Sequence, residues 1–203
     1  KKPIIVFEGV EGSGKSYHIN KVSNFLNKNK IKYIKIREPG GSLNSEKIRK
    51  LILDKKSNFN KNTDLLLYLS ARSENIDLLK KYLGKKVILI DRFIDSTIAY
   101  QVDGKKVKRS FIDHLHKFIL KGIKPNITFI LKVSPKASKL RLKKRKTKNR
   151  YDNFSQSFYT KAQKSFLKIA KNKKNYFVLD SSSNTNELEK KIFKIVSRYL
   201  KIQ

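Results

Sequence analysis

The chain has 203 residues, a length typical of one domain with a complete hydrophobic core. It contains no cysteine, which excludes disulfide bonds, thiolate metal sites and thiol nucleophiles. Its 49 lysine and arginine residues, against 16 acidic residues, give a formal net charge of +33. That charge is compatible with binding to nucleic acid or to an acidic membrane surface. The basic residues are spread along the chain, however, which favours a lysine-rich surface that also attracts anionic ligands.

Short β-branched apolar runs alternate along the chain with longer segments of helical pattern. Strands are predicted at 3–8, 33–37, 86–91, 126–133 and 175–180. Helices are predicted at about 15–29, 44–54, 63–82, 109–121, 135–145, 155–171 and 185–201. This alternation indicates an α/β fold in which a parallel sheet is covered by helices on both faces. We therefore expect one domain over residues 1–203, built on five parallel strands.

The first apolar run, PIIVFE, leads directly into a glycine-rich turn, so we interpret it as a strand and not as a signal peptide. The longest apolar runs are far too short to cross a membrane. We expect a cytoplasmic protein with no membrane partner.

The segment GVEGSGKS, residues 9–16, matches the phosphate-binding pattern G-x-x-x-x-G-K-[ST] between a predicted strand and a predicted helix. Backbone N–H groups of residues 11–16 can surround the β-phosphate of a nucleoside triphosphate, and the N-terminal end of the following helix adds to the attraction. Lys15 is expected to bridge the β- and γ-phosphates, and Ser16 is expected to bind Mg²⁺. The predicted ATP-binding residues are Gly9, Val10, Glu11, Gly12, Ser13, Gly14, Lys15 and Ser16.

Three further segments place polar side chains at or near the ends of predicted strands: REPGGS (37–42), YLSAR (68–72) and DRFIDSTIAYQ (91–101). Open α/β sheets bind ligands at the carboxyl ends of their strands. The guanidinium groups of Arg37, Arg72 and Arg92 are suited to a phosphate or to the edge of a base. Each arginine alone is compatible with an ordinary surface residue, but three at one end of the sheet favour a second anion site.

Together these segments resemble those of the bacterial-type thymidylate kinases, which are P-loop nucleoside monophosphate kinases. The resemblance covers nearly the whole chain and lies in EGVEGSGKS, REPGG, LLLYLSAR, DRFIDSTIAYQ, KPNITFILKV and a basic segment ending RYDNFSQSFYTKAQ. It implies transfer of the ATP γ-phosphoryl group to dTMP, giving dTDP for DNA precursor synthesis. It also implies Mg²⁺ as cofactor, a homodimer, and a short basic lid at about 143–153 that closes over ATP. Nucleic acid is not expected as a partner.

For the reaction itself, the resemblance implies electrostatic catalysis without a general base, because the acceptor phosphate is already ionised. Lys15, Arg92 and a lid arginine would offset the charge on the moving phosphoryl group. The lid offers Arg145 and Arg150, of which Arg150 matches the family best. Asp91 would bind Mg²⁺ together with Ser16. The alternative for Asp91 is a structural role at the end of its strand.

On the acceptor side, the resemblance assigns Glu11 to the 3′-hydroxyl group of the sugar, which gives a reason for a carboxylate in a phosphate-binding loop. Arg72 would donate to the edge of thymine. Tyr68 would stack on the ring, although its place among leucines is also compatible with a core residue. Tyr100 would crowd C2′ and disfavour ribose. The residues expected to bind dTMP are Glu11, Arg37, Pro39, Tyr68, Arg72, Arg92, Ser96, Thr97, Tyr100 and Gln101.

Two other functions stay open from the sequence alone. A deoxynucleoside kinase would need a general base, for which Glu38 is the nearby candidate, and it would leave the acceptor-side arginines without a purpose. A basic P-loop ATPase would bind nucleic acid with a steep salt dependence. The histidines at 18, 114 and 116 match no family position and are interpreted as surface or packing residues.

Overall fold

The structure, a computed structural model, describes residues 1–145, 151, 154–183 and 185–202. Within these ranges five strands form one sheet: β1 (Ile4–Glu8), β2 (Tyr33–Arg37), β3 (Val87–Asp91), β4 (Ile127–Lys132) and β5 (Tyr176–Asp180). Their spatial order is β2-β3-β1-β4-β5, and every neighbouring pair is parallel. The predicted five-stranded parallel sheet is confirmed.

The helices occupy the segments between the strands, as the alternating pattern predicts. They are α1 (Lys15–Lys28), α2 (Leu43–Leu53), α3 (Lys61–Ser73), α4 (Ile76–Tyr82), α5 (Ile94–Thr97), α6 (Arg109–Leu120), α7 (Pro135–Lys143), α8 (Gln156–Ala170) and α9 (Thr185–Leu200). Helix α5 continues directly into a π-helical segment, Ile98–Gly104, which was not predicted. No helix in the described ranges combines the length and hydrophobicity needed to cross a membrane.

The prediction of a single helix at 63–82 is wrong, because this segment forms two helices, α3 and α4. The break lies at Asn75, whose side chain is fully buried. Its amide nitrogen donates to the Gly40 carbonyl oxygen at 2.8 Å, and its amide oxygen accepts from the Ser42 backbone N–H at 3.0 Å. These long-range hydrogen bonds compete with helix continuation and fix the loop that follows β2.

The sheet buries both of its faces because successive side chains of a strand point in opposite directions. Ile4 and Val6 of β1 join the core formed with α3, α4 and α6. Ile5 and Phe7 join the core formed with α1 and α9 on the other face. A further cluster packs α8 against β4 and the π-helical segment. The prediction of helices on both faces is therefore confirmed.

The carboxyl ends of three strands meet at one edge of the sheet. Asp91 pairs in register with Arg37 of β2 and with Phe7 of β1. The phosphate-loop segment after β1 and the segments starting at Arg37 and Asp91 therefore leave the sheet side by side.

We expect Leu89→Ala to lower the free energy of unfolding by about 2–5 kcal/mol, because it removes apolar contacts and leaves a cavity. Leu89 lies on β3 inside the sheet and is 0% exposed. Denaturant titration followed by circular dichroism measures the change. Leu140→Ala on α7 is the control, since Leu140 is 52% exposed, and it should cost less than about 0.5 kcal/mol. Equal losses in the two variants would contradict the assignment of the core.

Candidate functional site

A cleft of about 470 Å³ opens at the carboxyl ends of β1, β2 and β3, a volume typical of small-molecule sites. It brings the phosphate loop together with the three arginine-bearing segments. The predicted site residues that line it are Glu11, Gly12, Gly14, Lys15, Ser16, Arg37, Pro39, Tyr68, Arg72, Asp91, Arg92, Ser96, Thr97, Tyr100 and Gln101. Gly9, Val10 and Ser13 are buried behind its surface. Arg150 lies outside the described residues.

Two glycines shape the phosphate loop. Gly12 and Gly14 have φ angles of +73° and +86°, a left-handed conformation that glycine adopts without a steric penalty. A Cβ atom at Gly12 would also lie 2.9 Å from the Ser138 carbonyl oxygen. The Ser13 N–H donates to Val10 within the turn. The loop therefore delivers the N-terminal end of α1, which favours anions, directly to the cleft.

Lys15 is buried and folds back onto its own loop. Its Nζ atom donates to the carbonyl oxygens of Gly9 at 2.9 Å and Val10 at 3.0 Å. Burial, reinforced by the nearby charge of Arg92, lowers the pKa of Lys15 to about 8. Nζ also donates to the Ser13 hydroxyl at 3.5 Å, so its hydrogen-bond acceptors in the described part of the chain are neutral. An anionic phosphate would be a stronger acceptor.

Ser16 and Asp91 place two oxygen atoms together beside the loop. The Ser16 hydroxyl donates to Asp91 Oδ2 at 2.9 Å. Hydroxyl and carboxylate oxygens are ligands that Mg²⁺ accepts, usually with phosphate oxygens and water completing its shell. The described residues contain no cluster of three or more His, Cys, Asp or Glu side chains that could hold a metal. A metal at this position would therefore depend on the nucleotide for further ligands.

Glu11 points out of the phosphate loop towards the segment after β3. Its two carboxylate oxygens accept from Arg92 Nη2 and from the Tyr100 hydroxyl, each at 2.7 Å. Burial opposes ionisation of Arg92, but the neighbouring charge of Glu11 prevails and raises the pKa of Arg92 above its ordinary value. Arg92 has a φ angle of +67°, a conformation that is uncommon for non-glycine residues and recurs at functional sites. The loop carboxylate is thus neutralised by an arginine and does not face the phosphate-binding backbone.

Arg72 is buried at the base of the cleft and donates to four groups. Nε donates to Glu38 Oε2 at 2.7 Å, and Nη2 donates to the Phe93 carbonyl oxygen at 2.8 Å. Nη1 lies 2.9 Å from Thr97 Oγ1 and 2.7 Å from His116 Nε2. Burial raises the pKa of Glu38, while the charge of Arg72 opposes that rise. Four hydrogen bonds therefore fix the orientation of the guanidinium group, and Arg72 lines the cleft.

Arg37 lies at the mouth of the cleft, and the sequence reasoning missed its neighbour Arg49. Arg37 donates to Glu46 through Nη2 at 3.0 Å and Nε at 3.2 Å. Arg49 lines the same cleft and donates to the Pro39 carbonyl oxygen at 2.5 Å. The spacing of Glu46 and Arg49 on α2 was the available signal, because residues three apart share a helix face.

The flanks of the predicted lid also reach the cleft. Arg141 on α7, which the sequence reasoning missed, donates to the carbonyl oxygens of Gly12 at 3.0 Å and Ser181 at 2.5 Å. Tyr151 lies within the lid segment and packs edge-to-face on Tyr68, with ring centroids 6.0 Å apart. Most of the predicted lid, residues 146–150 with 152 and 153, lies outside the described residues. The described lid residues Lys144, Arg145 and Tyr151 line the same cleft.

Comparison with known proteins indicates the same kind of nucleotide-binding site as the geometry. Residues 7–192 match the family model described as thymidylate kinase. The chain is 35% identical to the thymidylate kinase of Thermosipho africanus over 97% of this chain and 98% of that protein. It is 36% identical to that of a Sulfurihydrogenibium species over 92% of each chain.

A solved structure gives the same result. The crystal structure of thymidylate kinase from Ehrlichia chaffeensis superposes with a TM-score of 0.77 at 29% identity. The match covers 96% of this chain and 98% of that one. The fold and the sequence both agree over nearly the full length, and the chain belongs to the thymidylate kinase family.

Proposed function

We propose that this chain acts as a single-domain dTMP kinase, which transfers the γ-phosphoryl group of ATP to dTMP and yields dTDP for DNA synthesis. The observation that carries the proposal is the 2.7 Å contact between Glu11 of the phosphate loop and Arg92 at the end of β3. This contact joins a triphosphate-binding loop to a second cluster of cations and polar groups. Family membership supports ATP as the donor and dTMP as the acceptor.

At the donor end, Lys15 would exchange the carbonyl oxygens of Gly9 and Val10 for phosphate oxygens, which bind a cation more strongly. Ser16 and Asp91 fit Mg²⁺ because their oxygens already lie 2.9 Å apart at the loop. When bound there, the metal ion would neutralise charge on the triphosphate. Arg150, on the segment between α7 and Tyr151, is proposed as the lid arginine at the moving phosphoryl group.

At the acceptor end, Arg92 and Arg37 would hold the phosphate of dTMP, with Arg49, which lines the same cleft, as an additional cation. Glu11 would accept from the 3′-hydroxyl group. Tyr100 is buried and hydrogen bonded to Glu11, so it has little freedom to make room for a 2′-hydroxyl group. The remaining proposed base and sugar contacts come from Pro39, Tyr68, Arg72, Ser96, Thr97 and Gln101, which all line the cleft.

In the reaction, an oxygen of the dTMP phosphate would attack the γ-phosphorus atom, and the bond to the β–γ bridging oxygen would break. The second pKa of a phosphate monoester is about 6, so no base is needed at neutral pH. Glu38, the one candidate for a base, is buried and bonded to Arg72 at 2.7 Å. Because Glu38 is already paired with Arg72, it is poorly placed to act as a general base, which argues against a deoxynucleoside kinase. An arginine at the transferring group is worth roughly 10³–10⁵ in rate.

A panel of nucleoside monophosphates, each offered with ATP and Mg²⁺ in a coupled assay, tests the function. We expect dTMP to be the preferred acceptor. dUMP should react with kcat/KM lower by about 10- to 200-fold, because only the contact with one methyl group separates the two. Equal use of dTMP, CMP and AMP would contradict the proposal. ATP hydrolysis that DNA stimulates, with a steep salt dependence, would instead support a nucleic-acid-linked ATPase.

We expect Glu11→Ala to weaken dTMP binding by about 10- to 100-fold, because hydrogen bonds of charged groups contribute about 1.5–3 kcal/mol. ATP affinity should change by less than about threefold, since backbone N–H groups and Lys15 hold that nucleotide. Calorimetric titration with dTMP, and separately with a non-hydrolysable ATP analogue, measures both affinities. Glu187→Ala is the control, because Glu187 forms an exposed ion pair with Lys191 on α9. Equal loss of both affinities would refute the role of Glu11.

We also propose that the chain forms a homodimer through α2, α3 and α6, which pack side by side. Their exposed large apolar side chains are Leu43, Leu51, Leu66, Phe111 and Phe118. Exposed apolar side chains on neighbouring helices are typical of an interface.

Phe118→Lys should shift the protein towards the monomer, because Phe118 is 73% exposed on α6 and a charge opposes its burial in an apolar contact. Sedimentation velocity at several protein concentrations measures the distribution. Leu140→Lys on α7 is the control and should leave the distribution unchanged. A wild-type chain that stays monomeric at all concentrations would disprove the interface.

A further inference from the structure

His116 on α6 is buried against the candidate base pocket, although none of the segments that carry the family resemblance contains it. The residue is 5% exposed. Its Nε2 atom lies 2.7 Å from Arg72 Nη1. His114, two residues earlier on the same helix, is exposed. The helix therefore presents one histidine to the arginine and one to solvent.

The chemistry of the pair fixes the state of the imidazole. A guanidinium group has only donors, so His116 Nε2 must accept and the ring proton must lie on Nδ1. Burial, and then the positive charges of Arg72 and Arg109, lower the pKa of His116 to about 3. The imidazole is therefore neutral at physiological pH, which is the state that can accept from Arg72.

His116 is one of four partners that hydrogen bond to the Arg72 guanidinium group. The other partners are Glu38 after β2, the Phe93 carbonyl oxygen after β3 and Thr97 on α5. With His116, four of the five Arg72 N–H groups are used within the described part of the chain, and one on Nη2 remains. The guanidinium plane is thus held by four partners from three segments of the chain, and Arg72 lines the cleft.

We propose that His116 is a positioning residue for acceptor selection: it holds the Arg72 guanidinium group so that the remaining N–H meets the edge of the acceptor base. The inference rests on the proposed dTMP kinase function. Thymine presents a carbonyl oxygen at C4, whereas cytosine presents an amino group there. An N–H group fixed at this place therefore favours binding of thymine and disfavours binding of cytosine. An arginine that could rotate would discriminate less between the two bases.

His116→Leu removes the hydrogen-bond acceptor for Arg72 and puts an apolar side chain in its place. We expect the KM for dTMP to rise by about tenfold or more, and the preference for dTMP over dCMP in kcat/KM to fall by about tenfold. The KM for ATP should change by less than about twofold, since the phosphate loop is untouched. His116→Gln, whose side-chain oxygen can accept from Arg72, should stay within about threefold of the wild type. His114→Leu is the matched control on the solvent face and should behave as the wild type.

A folded His116→Leu variant with an unchanged KM for dTMP and an unchanged dTMP/dCMP ratio would overturn the proposal. So would a Gln variant as impaired as the Leu variant. If neither variant folds, ¹⁵N NMR of the wild type decides: His116 should stay neutral with its proton on Nδ1 from about pH 5 to 8. A protonated Nε2 would refute the contact. Failure of the proposed dTMP kinase function can be distinguished from failure of the His116 role, because in the first case the wild-type enzyme itself would not prefer dTMP.

Discussion

The ion pair of Glu11 and Arg92 holds the two halves of the cleft together. Glu11 belongs to the loop between β1 and α1, and Arg92 follows β3, which is the neighbouring strand. Arg92 also donates to the Gly9 carbonyl oxygen at 2.9 Å, so one guanidinium group binds both the backbone and the side chain of the loop. A partly buried pair of this kind needs every hydrogen bond to offset the loss of hydration. The Tyr100 hydroxyl supplies one of them, at 2.7 Å from Glu11 Oε2.

The cleft contains several cations, and four of them are oriented by hydrogen bonds to the protein. Lys15 and Arg141 bind carbonyl oxygens of the phosphate loop, while Arg37 and Arg92 bind carboxylates. Each cation is therefore oriented by a protein partner before any phosphate competes for it, which is the arrangement that electrostatic catalysis requires. Burial, and then the nearby charge of Arg92, lowers the pKa of Lys15, so its charged form is disfavoured at this place. A polyanionic substrate bound beside Lys15 would stabilise that charged form.

The sequence predicts the parts of this protein that depend on local pattern. The strands are visible because burial on both faces makes them continuous apolar runs, and the phosphate loop is visible because its spacing is strict. The break at Asn75, the π-helical segment after α5 and the contact of Arg72 with His116 all depend on partners far away in the chain. Periodicity carries no information on such partners, so a buried asparagine looks like a helix residue and a buried histidine looks like any surface one. Arg141 was missed for the same reason, because its partners Gly12 and Ser181 lie far away in the chain.

Asp64 shows how the acceptor pocket and the lid flank share one structural element. Its side chain is fully buried on α3, the helix that also carries Tyr68 and Arg72. It accepts from Lys105 at 2.5 Å and from the Tyr151 hydroxyl at 3.1 Å, so a cation and a neutral donor offset its burial. Because Tyr151 belongs to the lid segment and its ring packs on Tyr68, this residue of the lid is fixed relative to the surface on which the acceptor base would stack. A shift of either one therefore has to break contacts made by the other.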